Sequence, residues 1–236
     1  MLRENQFPSS NIIVMMHDDV PRYRYIQGGI DYHEDLVVDY TSHDFTIDAF
    51  KNVMSGGRLV DPQGRKVLGS TTDDNVLLYF SGPSLMNSIY FPNRPVIAAE
   101  IQDILNDAYD GGKYDNMYLV MEAFNSGNVL NQLRLENLFV YALASVSDKW
   151  VGDVDYYSQS LLNVHPFTEL WIKNVKMYTG HFLATVSAYV NAEPTLPQST
   201  KHYGLEVLGK FDVWQFVTPN NKLHRRLIAD ENAPRN

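Results

Sequence analysis

From Tyr118 to Ala123 the chain passes through six residues of which Glu122 alone is charged, then breaks into Phe124-Asn125-Ser126-Gly127. The run is too short for a stable helix and too apolar for a half-exposed strand, so it reads as a strand buried on both faces. Strands of that kind belong to parallel sheets covered by helices on either side. The small-residue turn at their carboxyl end is where such sheets present a reactive side chain. Phe124, at the tip of this turn, has no nucleophilic atom.

Other segments repeat the pattern. Asn11–Met16 is an apolar run that stops at His17-Asp18-Asp19; Asn75–Phe80 stops at Ser81-Gly82-Pro83-Ser84; Leu138–Ala142 forms a further run. Each predicts a buried core strand. Between them, Thr46 is placed to cap a short helix bearing Ile47, Phe50, Val53 and Met54, which Gly56-Gly57 ends. Ser88–Phe91 reads as a hairpin arm. Pro95 suits the first position of a helix carrying Ile97, Ile101, Ile104 or Leu105, and Ala108, closed by Gly111-Gly112. Trp171, Val175, Tyr178, Phe182, Val186 and Tyr189 keep helical spacing and predict one long amphipathic helix over about 167–190. Leu205–Phe216 predicts one or two closing strands. Residues 218–236 are polar with two prolines and read as a disordered tail. Strands alternating with helices predict a single three-layer α/β domain over residues 1–217.

Composition narrows the function classes. The 236 residues are 44% hydrophobic and 12% aromatic, enough for a sizeable core. A net charge of −9, with no cluster of basic residues, opposes binding to phosphate backbones. No stretch of about 18 apolar residues predicts a membrane span, and Met1–Pro8 lacks a signal-peptide core. The chain contains no cysteine, which removes disulfides, thiolate metal sites and thiol catalysis together. It carries no dinucleotide-binding glycine fingerprint, phosphate-binding loop, His-Glu-x-x-His or Gly-x-Ser-x-Gly motif. His17-Asp18-Asp19 supplies no further metal ligand at an informative spacing, so it reads as a solvated strand end, and neither a metal nor a cofactor is expected. The seven histidines are scattered. A serine nucleophile at Ser81, Ser84 or Ser126 therefore has no base near it in sequence, although a distant residue could supply one.

Four segments, in order, resemble the legumain (asparaginyl endopeptidase) family of caspase-like cysteine peptidases. They are Ile13–Asp19; Val38–Thr41 with Asp44-Phe45-Thr46 and Phe50; Tyr79-Phe80 with Tyr90–Asn93; and Glu122–Gly127. Beyond residue 150 the likeness is thinner and rests on Tyr156-Tyr157 and Val213–Phe216. The catalytic subunit of the GPI-anchor transamidase is a related alternative that fits Phe91-Pro92-Asn93 and Glu122-Ala123 less well.

The resemblance implies a caspase-like three-layer domain with a mostly parallel sheet. The family elbow reads Glu-Ala-Cys-Glu-Ser-Gly, which puts Phe124 at the nucleophile position. Its Thr-Asp-His-Gly turn matches Ser81–Ser84, which puts Pro83 at the histidine position. Neither side chain can act as nucleophile or base. In a serine protease, loss of triad members lowers turnover roughly a millionfold, about 8 kcal/mol of barrier. The resemblance thus implies an inactive peptidase homologue, with a peptide or protein ligand possible and neither nucleic acid nor membrane as partner. Among the family's substrate-gripping positions Glu122 is kept, two serines fall on Val151 and Gly152, and an aspartate falls on Phe167 or Asn163. Residues 1–10 resemble the end of the family's first helix, which implies a truncated chain lacking the first strand and that helix. Such a loss leaves the Asn11–Met16 and Asn75–Phe80 strands either paired directly or with open edges. Family members are lysosomal, vacuolar or secreted, but no signal for those compartments is visible in this chain.

Overall fold

Every residue of Asn116–Glu122 and of Val140–Ala144 is buried, and these two segments form the centre of the domain. The structure is a computed structural model that describes residues 1–17, 37–57, 64–146, 166–177, 182–192 and 200–219. Its strands are β1 (Met15–Met16), β2 (Tyr40–Thr41), β3 (Asn75–Ser81), β4 (Ser84–Leu85), β5 (Ser88–Phe91), β6 (Arg94–Ile97), β7 (Asn116–Glu122), β8 (Val140–Ala144) and β9 (Lys201–Gly204). Its helices are α1 (Ile47–Met54), α2 (Ala98–Asp110), α3 (Ser126–Leu130), α4 (Pro166–Met177), α5 (Leu183–Asn191) and α6 (Trp214–Val217).

The main sheet has the order β3-β7-β8-β9. β3, β7 and β8 run parallel, and β9 returns antiparallel to β8. Alternation along the two central strands builds a core on each face. Met117, Leu119, Met121, Val140, Ala142 and Ala144 join α1 and α2 on one side. Tyr118, Val120, Tyr141 and Leu143 join α4, α5 and α6 on the other. This is the three-layer, mostly parallel α/β arrangement that the buried runs predict.

Local chemistry explains the helix ends. Thr46 Oγ1 accepts the Ala49 N–H at 3.1 Å, capping α1. α2 ends at Gly111, followed by Gly112 at φ +62°, a left-handed conformation that costs glycine little. Glu100 in the first turn of α2 pairs with Arg94 at 2.7 Å.

Several sequence expectations are corrected. Asn11–Met16 does not enter the main sheet: only Met15–Met16 is strand, and it pairs parallel with Tyr40–Thr41 in a separate two-stranded sheet. That corner is held by Lys66, whose Nζ lies 3.0 Å from Asp39 Oδ1 and donates to the carbonyls of Ser9 and Ile12. The Asn75–Phe80 strand is half-buried rather than buried, because β3 ends the sheet order. Pro95 lies in β6, opposite Tyr90 and at the edge of the small antiparallel sheet β4-β5-β6, and α2 starts only at Ala98. An edge strand tolerates the missing N–H. The Leu138–Ala142 strand starts at Val140, since Leu138 sits in a 3-10 turn and Phe139 has φ +53°.

The single helix over 167–190 is two helices. Phe182 is extended and bridges to Asp212, which separates α4 from α5. The closing strands expected within Leu205–Phe216 are replaced by β9 before them, a 3-10 turn at Glu206–Lys210, and α6. Asp212 Oδ1 accepts the Trp214 N–H at 2.9 Å and starts that last helix. Residues 1–7 make one helical turn closed in the way a helix ends: Asn5 N–H bonds Met1 O, and left-handed Gln6 at φ +61° lets Phe7 N–H bond Leu2 O. Of the expected tail 218–236, residues 220–236 lie outside the described residues.

Candidate functional site

Parallel strands β3 and β7 end side by side, with Ser81 in register with Glu122. The turn after β3 and the elbow after β7 therefore start from adjacent points on the same rim. Two hydrogen bonds join them. Gly82 N–H donates to Glu122 O at 3.2 Å, and Asn125 N–H donates to Ser84 Oγ at 2.8 Å. Pro83 lies between the two turn residues, Phe124 between the two elbow residues. Pro83 is exposed, and its carbonyl accepts the Tyr90 N–H at 2.9 Å; Phe124 is half-buried.

A paired-serine lock fixes the elbow from below. Ser145 Oγ accepts the Ala123 N–H at 3.1 Å, and Ser126 Oγ accepts the Val146 N–H at the same distance. Ser126 is fully buried, and its hydroxyl lies 3.4 Å from Ser145 Oγ. A hydroxyl held this way fastens backbone to backbone and is shielded from any substrate. Ser81 is exposed and Ser84 half-buried. Of the histidines, His17, His43 and His202 are described, and His202 stacks on Tyr141 at 5.4 Å in β9.

Glu122 is the charged group of the rim. Its side chain is 4% exposed, and Tyr79 Oη donates to its Oε2 at 2.5 Å. The Thr168 hydroxyl reaches the same oxygen, and it also lies 2.6 Å from Tyr79 Oη. Both hydroxyls are thus turned onto one carboxylate oxygen. Thr168 and Trp171 are three residues apart on α4, so one helix face delivers both. Trp171 stacks on Tyr79 at 5.9 Å and donates its indole N–H to Tyr118 Oη at 3.0 Å. Burial, then the Glu122 charge, pushes the Tyr79 phenol well above its ordinary range.

Phe167, one candidate for an aspartate position, is 1% exposed and packs in the α4–α6 core. Val151, Gly152 and Asn163 lie outside the described residues. Thr168 and Ser145, which shape the site most directly, are residues that sequence reasoning misses: neither stands in a recognisable motif. No group of three or more potential metal ligands occurs among the described residues.

Residues 1–181 match the Peptidase C13 family. The chain belongs to the peptidase C13 family. Its relatives include mouse legumain, 28% identical over 170 residues that make up 67% of this chain and 39% of that protein. The vacuolar-processing enzyme of Citrus sinensis is 30% identical over 155 residues, 60% of this chain and 31% of that enzyme. The hemoglobinase of Schistosoma mansoni is 27% identical over 157 residues, 62% and 36% respectively. This C13 chain therefore spans about a third to two fifths of the length of those relatives. The α/β sheet with helices on both faces agrees with the caspase-like architecture expected of the family.

Proposed function

We propose that this chain is a C13-family pseudopeptidase, a legumain-like domain without peptide-bond chemistry that serves as a peptide- or protein-binding module. The observation that carries the reading is the joined pair of loops. Backbone bonds from Gly82 and Asn125 set the two loops beside each other, where a nucleophile and its base would have to meet, and the residues at the two tips are Pro83 and Phe124. Neither can accept a proton or attack a carbonyl. The chain has no cysteine to substitute for Phe124. Reuse of a neighbouring serine is disfavoured at Ser126, whose hydroxyl is buried and bonded to the Val146 backbone.

Purified protein incubated with asparagine-containing peptides at acidic and neutral pH is expected to show no turnover. Thiol-directed and serine-directed probes are expected to leave it unlabelled. Turnover abolished by Ser126→Ala or Ser81→Ala would overturn the reading. Phe124→Cys combined with Pro83→His tests the geometry from the other direction: hydrolysis gained by the pair, and by neither substitution alone, is the expected result if the loops keep a competent spacing. Binding is measured separately, by anisotropy of labelled peptides. A saturable signal with no cleavage product supports a binding role.

A further inference from the structure

We propose that the open cavity between α2 and the chain leading into β8 binds a small zwitterion of the α-amino acid or short-peptide class, its carboxylate on Arg134 and its ammonium on Asp103. The cavity has a volume of about 500 Å³, within the range of small-molecule sites, and Gln102, Asp103 and Asn106 of α2 form one wall. Gln132, Arg134 and Asn137 form the other. Residues three and four apart share a helix face, and the short side chains of Ala98 and Ala99 at the start of α2 leave the space beside it unfilled. The far wall follows from burial. Leu133, Leu135 and Leu138 are held in the core, so the polar residues among them are left on the outside. The two walls are tied where Arg134 N–H donates to Gln102 Oε1 at 2.6 Å, which fixes the root of the guanidinium arm.

Charge selects the ligand class. On α2, Glu100 pairs with Arg94 and Asp107 with Lys51, whereas Asp103 between them forms no ion pair among the described residues. Arg134 forms none there either, in a chain whose acidic residues outnumber its basic ones 28 to 19. The cavity thus presents one unmatched charge of each sign, on facing walls. An anion or a cation alone would leave one of them unmet, and a zwitterion meets both. The guanidinium fork takes a carboxylate through two parallel N–H bonds, and an aspartate carboxylate can only accept, as an ammonium requires. The carboxamides suit what lies between those two charges. Gln102 Nε2 donates to Asn106 Oδ1 at 2.9 Å and Gln132 Nε2 to Asn128 O at 2.8 Å, which leaves the Asn106 amide as a donor and Gln132 Oε1 as an acceptor. A peptide group offers one partner to each. No aromatic residue is among the described lining residues, which disfavours ligands held by stacking, such as nucleobases.

The cavity shares no residue with the paired loops, so its test succeeds or fails apart from the pseudopeptidase reading. Calorimetric titration of the whole chain with glutamine and with alanylglutamine is expected to show saturable binding, and the tighter of the two identifies the source as a free amino acid or a peptide. Arg134→Gln and Asp103→Asn change exposed side chains, so the fold is expected to persist by circular dichroism. Each is expected to weaken binding roughly tenfold or more. Blocked ligands assign the two ends. N-acetylation should weaken binding to the unaltered chain by a similar factor and cost nothing further in Asp103→Asn; C-amidation should do the same with Arg134→Gln. Absence of saturable binding by both free ligands would overturn the proposal, as would binding undiminished in either folded variant. Blocking costs that persist in full in the matching variant would place the ligand elsewhere and overturn it equally.

Discussion

Ser84 Oγ accepts the backbone N–H of Asn125 at 2.8 Å, so the turn after β3 holds the elbow after β7 through a side chain placed next to Pro83. The bond lies between half-buried partners. Ser84→Ala removes the acceptor and is expected to cost about 1 kcal/mol, read as a lower urea midpoint with an unchanged slope.

Ser126→Ala separates a structural serine from a reactive one. The substitution strips the Val146 N–H of its acceptor in a fully buried place, which is expected to cost about 1–3 kcal/mol. Stability should fall while peptide turnover stays at the background of the unaltered chain.

The Glu122 cluster predicts strong coupling. Tyr79→Phe and Thr168→Val each delete a hydroxyl directed at a buried carboxylate oxygen, and each is expected to cost about 1.5–3 kcal/mol. In a Glu122→Gln background both costs should shrink, because the acceptor is no longer an anion. A double-mutant cycle by chemical denaturation measures the difference. Additive costs would show that the hydroxyls contribute only their packing.

Alkaline pH should unfold the protein in a way that its tyrosines report. Burial raises the phenols of Tyr79, Tyr114, Tyr118 and Tyr141 above the ordinary value, with the Glu122 charge adding to the effect at Tyr79. Below about pH 10 these groups are protonated in both the folded and unfolded states, and their contribution is constant. Above it the unfolded chain ionises first and the folded one keeps its protons, so stability is lost as pH rises. Ultraviolet titration is expected to show an early step smaller than the full 15 tyrosines, and a late step coincident with loss of helical circular dichroism.

Gly204 predicts a backbone requirement rather than a side-chain one. It adopts φ +89° at the end of β9, and a Cβ there would meet Val140 O at 2.2 Å. Gly204→Ala is expected to cost upwards of about 1–2 kcal/mol from the conformation alone, with the clash adding to it. A fall in thermal midpoint checks it.

The legible part of this fold is the part whose physics is local. Tyr118–Ala123 announces a buried strand because its neighbours on both faces are apolar, and Thr46 announces α1 because a hydroxyl must satisfy the first free N–H groups. Where the outcome depends on distant partners, the sequence misleads. The helical spacing from Trp171 to Tyr189 continues across a break that is visible only once Phe182 meets Asp212. Val213–Phe216 looks like a strand until the Asp212 carboxylate accepts the Trp214 N–H and the chain turns into a helix at Trp214. The site divides the same way: Phe124 and Pro83 stand out as residues at odds with their surroundings, whereas Thr168 comes to Glu122 from a helix far along the chain.

Lys66 has a consequence for how the molecule comes apart. A single ammonium group bridges Asp39 and the carbonyls of Ser9 and Ile12, and it anchors a two-stranded corner that, among the described residues, shares no ladder bond with the main sheet. The corner is therefore expected to open and reclose while Val120 and Leu143 stay shut in the interior. Proteolytic nicking under native conditions would begin there, well below the free energy of global unfolding.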